Sequence, residues 1–196
     1  MHDYLAATAI INADHPTIQT QARKLAQGLT TDIAVASACF VFVRDSIRHS
    51  WDYQENPVTC IASDVLQHQT GYCFAKSHLL AALLRANQIP AALCYQRLVI
   101  DGYQPSYSLH GLNAVYLKDT GWYRLDARGN KPARDAQPAI NARFDPPHEH
   151  LAFAIQYSGE ADLPGYYAEP RAEIIDLLTT CENYQQVAAQ LPDVVG

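Results

Sequence analysis

Charge is scarce in this chain of 196 residues. Asp, Glu, Lys and Arg together make up 17%, where globular domains carry about 25%. Only 14 residues are Lys or Arg, against 20 Asp or Glu, for a net charge of −6. There is no basic run, which argues against a generic nucleic-acid binder and against a polybasic membrane patch. No apolar stretch reaches the ~18 residues that a membrane-spanning helix needs. The opening residues Met1-His2-Asp3-Tyr4-Leu5 lack the basic and then apolar regions of a secretory leader. Cysteine is sparse as well: five, at 39, 60, 73, 94 and 181, an odd number with no CxxC or CxxH pair. That argues against a disulfide scaffold and a Cys-rich zinc site. The expectation is a reduced, cytoplasmic protein whose thiols are mostly buried as small hydrophobes.

What is present is material for a core. Hydrophobic residues are 48% of the chain, too many for a disordered segment. The length fits a single domain over 1–196, with no repeat, linker or low-complexity stretch. Residues 17–50 keep a helical stripe through Ile33, Val35, Phe40, Val43 and Ile47, with Thr17 or Asp32 as caps. Ser63 is placed to cap a short helix. The strongest helix runs from Cys73 to Asn87, where Phe74, Leu79, Leu80, Leu83 and Leu84 form a broad apolar face that ends before Pro90. Strands follow over 91–100, 110–117 and 122–127, the last two joined through Lys118-Asp119-Thr120-Gly121 as a hairpin. Residues 128–147 read as irregular, 151–155 as a further strand, and 173–190 as a closing helix. Helices first and strands after give an α+β domain.

One thiol stands apart. Cys73 sits at the first turn of the strongest helix, where unpaired N–H groups and the helix dipole favour a thiolate, the form that attacks. Taken alone, a buried structural cysteine is the commoner reading. A nucleophile also needs a base. His78 is on the same helix but about 140° around it, so it does not face Cys73. His110 opens a strand and Asp126 ends the next. In an antiparallel pair they share a face only if the connection is odd in length or a bulge intervenes: a two-residue turn separates them, a three-residue one unites them, on a diagonal or directly opposed.

The run Gly71-Tyr72-Cys73-Phe74-Ala75-Lys76-Ser77-His78-Leu79-Leu80-Ala81-Ala82-Leu83-Leu84-Arg85-Ala86, with Ile89-Pro90-Ala91 after it, resembles the transglutaminase-like superfamily. So do His110 with its alternating strand and Gly121-Trp122-Tyr123-Arg124-Leu125-Asp126. The resemblance covers about residues 60–130, with three motifs in the right order. It implies a papain-like fold with N-terminal helices and a central helix, carrying the cysteine, packed on an antiparallel sheet. It also implies a catalytic triad of Cys73 as nucleophile, His110 as base and acid, and Asp126 as orienter. The reaction would be acyl transfer from an amide or ester through a thioester. Water is the acceptor in protease- and amidase-type members and an amine in true transglutaminases. No cofactor and no metal are implied, and the partner is a peptide, protein or small amide or ester substrate. The pattern departs at Gly111-Leu112, where many members carry a small residue and then Trp.

A backbone donor for the oxyanion is the Cys73 N–H. For the second, Gln67 lies six residues before Cys73, the offset at which papain-type enzymes carry a Gln. Trp51 and Tyr53 lie upstream, as aromatic donors do in transglutaminases. The polar, aromatic loop 101–108 places Tyr103 and Tyr107 at a candidate substrate rim, with Arg97 and Arg128 as carboxylate binders or as ordinary ion-pair residues. His148-Glu149-His150 puts two imidazoles on one strand face, too few ligands for zinc; His49 and His68 read as helix-surface or packed polar residues. The leading expectation is a hydrolase of the protease or amidase type. The rival is a non-catalytic binding module on the same scaffold; a metal-dependent hydrolase using His148, Glu149 and His150 stands third.

Overall fold

The computed structural model describes residues 1–99, 107–133 and 139–193. Helix α1 (Pro16–Ala26) starts where the His15 ring accepts the Thr17 N–H, with Pro16 in the first turn, where a missing N–H costs nothing. Helix α2 (Asp32–Ser46) is capped by the Thr31 hydroxyl, which accepts from the Ala34 N–H. Gly28, at φ 78°, lies between the two helices. The helical stripe read over 17–50, with Thr17 or Asp32 as caps, is two helices, capped at His15 and Thr31, and a two-residue strand, β1 (Arg48–His49). A four-residue helix, α3 (Ser50–Tyr53), follows directly. Helix α4 (Ala62–His68) starts one residue before the expected Ser63 cap; Ser63 is bonded instead to the Asn12 side chain. Strand β2 (Thr70–Gly71) pairs in parallel with β1 and runs into helix α5 (Cys73–Ala86).

Every residue of α5 from Cys73 to Arg85 is buried, Lys76, Ser77, His78 and Arg85 included, so the helix is enclosed beyond the one broad apolar face read from the sequence. Strands β3 (Ala91–Val99) and β4 (Tyr107–Leu117) pack on it, and α1, α2 and α4 surround its other sides. Two of its buried cations satisfy backbone carbonyls. Arg85 donates to the carbonyls of Ala91, Ala6 and Ala168, which ties the N-terminal segment and the 166–172 segment to the helix. The Lys76 ammonium donates to the Ile47 and Arg44 carbonyls at the C-terminal end of α2, capping that helix.

Strand β5 (Gly121–Leu125) pairs with β4 through the connection Lys118-Asp119-Thr120, because Leu117 stands opposite Gly121. Gly121 takes φ 77°, a value that glycine adopts without strain. Strands β6 (Arg143–Asp145) and β7 (His148–His150) form a separate hairpin, and β8 (Ala161–Asp162) adds to the far edge of β3. The main sheet is antiparallel in the order β5-β4-β3-β8. Its face toward α5 carries Leu93, Tyr95, Leu109, Val115 and Leu125; the other face carries a smaller cluster of Ala92, Cys94, Leu112 and Ala114. The strand expected at 151–155 is not formed; that segment is irregular. The closing helix is two, α6 (Ala172–Thr180) and α7 (Tyr184–Ala189), because Asn183 leaves the helix to cap the next one through the Gln186 N–H.

Candidate active site

Cys73 opens α5 from an N-cap residue, Tyr72, whose side chain makes no capping bond, and no acidic residue stands in the first turn. The N–H groups of this turn thus have no capping side chain, and the positive end of the helix dipole lies at the thiol. The cysteine is 7% exposed.

The hairpin delivers the other two groups. The β4–β5 register extends to Asn113 opposite Leu125, and the connection is three residues long, so His110 and Asp126 share a face of the sheet on a diagonal. Beyond Leu125 the chain leaves β5, and β4 from Leu112 back to Tyr107 is paired on its β3 side alone. The Asp126 carboxylate turns into the space this opens, and its Oδ2 accepts from His110 Nε2 at 2.8 Å. Nδ1 is therefore the ring nitrogen left for Cys73. Gly111, next to His110, brings that strand against the backbone of Phe74, next to Cys73. The Cys73 side chain is near enough to His110 to act on its ionisation.

Electrostatics follow from this packing. Burial alone would lower the His110 pKa. The charge and hydrogen bond of Asp126, with Cys73 acting in the same sense, outweigh it and raise the value to about 10. Asp126, 1% exposed, would be driven up by burial. The His110 charge and bond, with the N–H groups of Arg128 (3.0 Å) and Ala152 (3.1 Å), hold it below the ordinary carboxylate range. The segment after β7 closes the site from above: Phe153 stands edge-on to the His110 ring, centroids 5.0 Å apart at 87°.

The remaining sequence candidates separate. Gln67 is exposed on α4, and Trp51 and Tyr53 are 50% and 62% exposed on α3, with Trp51 edge-on to Tyr184. Arg97 is paired with Asp193, donates to the Gly159 carbonyl and lies 3.7 Å over the Tyr107 ring, while the Tyr107 hydroxyl donates to the Ser158 carbonyl. Both side chains thus tie the sheet edge to neighbouring segments. Tyr103 lies outside the described residues. Arg128 is buried and paired with Asp52. His78, buried on α5, bonds the Cys60 carbonyl through Nδ1. His148 is exposed, Glu149 pairs with Arg124, and His150 faces Asp145 at 3.3 Å. Among the described residues no group of three potential ligands is placed to hold a metal.

His49, read from the sequence as a helix-surface or packed polar residue, is packed, and its place beside the site was not foreseen. It is on β1, opposite Gly71 of β2, buried beside the site, with its ring edge-on to Tyr72. Burial first, then the Arg128 and Lys76 charges, keep it neutral well below the ordinary range. Its Nδ1 has no hydrogen-bond partner among the described residues and lies 3.9 Å from Asp52 Oδ2. A two-residue strand leaves no periodicity in a sequence, so no pattern marked this residue.

Comparison with known proteins agrees with this architecture. The family model of the transglutaminase-like superfamily matches residues 19–127. Among solved structures, a candidate cysteine protease from Cytophaga hutchinsonii superposes with a TM-score of 0.51 at 20% identity, over 64% of this chain and 40% of that one. The periplasmic domain of TgpA from Pseudomonas aeruginosa gives 0.48 at 19% identity, over 63% and 45%. The chain thus spans less than half the length of either, and at these identities the likeness is one of fold. No curated protein sequence matches. Among the described residues no helix is long and apolar enough to cross a membrane.

Proposed function

The chain belongs to the transglutaminase-like superfamily, and from that premise we propose that it is a cysteine-dependent acyl-transfer enzyme that hydrolyses amide or ester bonds of a peptide, protein or small molecule. The observation that carries the reading is the buried His110–Asp126 pair, 2.8 Å apart, beside a cysteine at an uncapped helix N-terminus. In this reading the raised basicity of His110 lets it take the Cys73 proton, so that the resting state is a thiolate–imidazolium pair.

The Cys73 sulfur attacks the substrate carbonyl, forming the C–S bond and an oxyanion that the Cys73 N–H receives. His110 then gives its proton to the leaving nitrogen or oxygen as the C–N or C–O bond breaks. Water attacks the thioester, passes a proton to His110, and the C–S bond breaks to restore the thiolate. Asp126 holds the ring with Nε2 bound and Nδ1 toward the sulfur. Water as acceptor is in keeping with the Cytophaga hutchinsonii neighbour being described as a protease.

The test is mass spectrometry of the protein incubated with an acyl-donor library of activated esters and amides, with and without a primary amine. A thioester on Cys73 that decays to acid with water, and is lost in Cys73→Ala, supports the proposal. Transfer to the amine in preference to water would make the enzyme a crosslinking type. Wild-type turnover by Cys73→Ala would remove the nucleophile and the proposal with it.

A further inference from the structure

Two carboxylates near the site are held by one residue. The Arg128 backbone N–H donates to Asp126 Oδ1 at 3.0 Å. Its guanidinium grips Asp52 with both terminal nitrogens, Nη2 at 3.1 Å from Oδ1 and Nη1 on Oδ2, a fork that fixes direction as well as distance. The Arg128 side chain is 8% exposed and that of Asp52 20%. Lys131 adds a second cation 3.6 Å from Asp52 Oδ1.

The two ends of this pair belong to different halves of the site. Asp52 is on α3, directly after β1, and β1 is paired with β2, which leads into Cys73. Arg128 is two residues past Asp126, on the side of the hairpin that carries the imidazole. The guanidinium also lies 5.8 Å from the centroid of Phe153, the ring that stands against His110.

We propose that Arg128, locked on Asp52, is the positioning residue of the His110–Asp126 pair, setting that pair in place relative to the Cys73 side of the site. The inference rests on the catalytic reading of Cys73 given above. The lock acts through the backbone: with the guanidinium anchored, the Arg128 N–H stays on Asp126 Oδ1, and Oδ2 is left to meet His110 Nε2.

The experiment compares Arg128→Ala, Arg128→Lys, Asp52→Asn and the double variant with wild type. Two quantities are read: the His110 ring titration by NMR, and the pH dependence of Cys73 alkylation by iodoacetamide. The groups facing His110 are Asp126, Cys73 and the neutral His49. A purely electrostatic role would move the His110 midpoint up on losing the Arg128 cation and down on losing the Asp52 anion. A positioning role moves it down in both, because Asp126 drifts from the ring. The expected result is a downward midpoint in both single variants and alkylation near neutral pH slowed about tenfold or more, since misplacement by ~1 Å costs up to ~100-fold. Arg128→Lys, which keeps the charge and loses the fork, falls between. The double variant is no slower than Arg128→Ala alone, as expected of groups acting as a unit.

Opposite midpoint shifts, additive losses, or a lowered melting temperature with both wild-type profiles intact would each overturn the lock. If Arg128→Ala does not fold, Arg128→Lys and Asp52→Asn decide on the same readings. A wild-type Cys73 no more reactive than a free thiol would instead strike the catalytic reading, while the His110 titration still judges the lock.

Discussion

Replacing Gly111 by Ala should separate the nucleophile from its base without touching either. A Cβ at this position would meet Phe74 Cδ1 at 2.7 Å, Phe74 Cα at 3.1 Å and Phe74 N at 3.3 Å. Side-chain atoms can swing away, but two of these three are backbone atoms of the residue after Cys73. Ordinary contact begins near 3.4 Å, so strand and helix must part by about 0.3 Å even after the Phe74 ring has moved. That displacement lies between His110 on one element and Cys73 on the other. Overpacking of this kind costs ~1–3 kcal/mol, which for a chain of this size is a melting-temperature drop of about 2–10 °C. The catalytic effect should be larger in proportion: with ~100-fold per Å as the scale, roughly three- to tenfold in the acylation step. The assay is burst-phase release of nitrophenol from an activated ester, beside thermal unfolding of the same preparation. Gly111→Ser should behave as Gly111→Ala. A Gly111→Ala protein with a wild-type burst rate and melting temperature would refute the close packing on which the reasoning stands. A lowered melting temperature with an unchanged burst would show that helix and strand part without disturbing the reacting groups.

Asp126→Asn removes the charge that raises His110, so the imidazole should lose its proton at a lower pH than in wild type. A raised folded-state pKa stabilises fully below the unfolded value of ~6.5 and fades as pH climbs through the folded one, while the carboxylate's share is lost as acid protonates Asp126; the stability gap to wild type, measured by denaturant titration, should therefore be widest between the carboxylate range and about pH 6.5 and close toward about pH 10. Activity should fall less than in Cys73→Ala or His110→Ala, because Asn can still orient the ring; equal loss in all three would mean that orientation is not what Asp126 supplies. In native protein, iodoacetamide at pH 8 should label Cys73 well before Cys39, Cys60 and Cys94, whose thiols burial pushes up to about 12, about 11 and about 12; peptide mapping that finds even labelling would deny an activated thiol. Burial lowers Lys76 to about 7, so the unfolded chain holds its proton longer, and stability should rise with pH from about 7 to the ordinary lysine range. Lys76→Met should flatten that rise; parallel stability–pH curves for the two proteins would contradict it.

How much of this was legible depended on the length of the signal. Helix α5 was, because fourteen residues without proline or glycine, closed by Pro90 shortly after, admit little else. The breaks within 17–50 and 173–190 were not. Buried apolar residues stand on both sides of each break, Ile18 and Ala22 before Thr31 and Val35 and Phe40 after it, Leu177 and Leu178 before Asn183 and Val187 after it, and the caps are single residues with no distinct signature against a polar background. The expected strand at 151–155 failed for another reason. Leu151 packs on the outer cluster of the sheet and Phe153 on His110, so their alternation records burial against a sheet rather than membership in one. The β1–β2 pair and the orphaned His49 lie below the length at which periodicity exists.

The His110–Asp126 contact had another source: the family resemblance named the two residues, and parity supplied the condition under which they meet. Parity turns one local fact, the length of a turn, into a statement about two side chains sixteen positions apart. Three residues between Leu117 and Gly121 place His110 and Asp126 on one face; two or four would place one of them on the other. The same rule sends Gly111 to the face toward α5, where its missing Cβ lets the first turn of the helix approach. Alternation thus groups the base with its partner on even positions and leaves the odd Gly111 against the first turn of the helix that carries the cysteine; it does not by itself bring the base to the thiol. The second coordinate, how far Asp126 stands from the ring, is not set by parity at all. It depends on contacts from Arg128 and Ala152, beyond the strand, and Arg128 is held in turn by Asp52, 76 positions away in the chain. No reading of local pattern reaches that far. It follows that substitutions in the hairpin turn should act on the site all or none, through register, whereas substitutions at Asp52 and Arg128 should act by degrees, through distance.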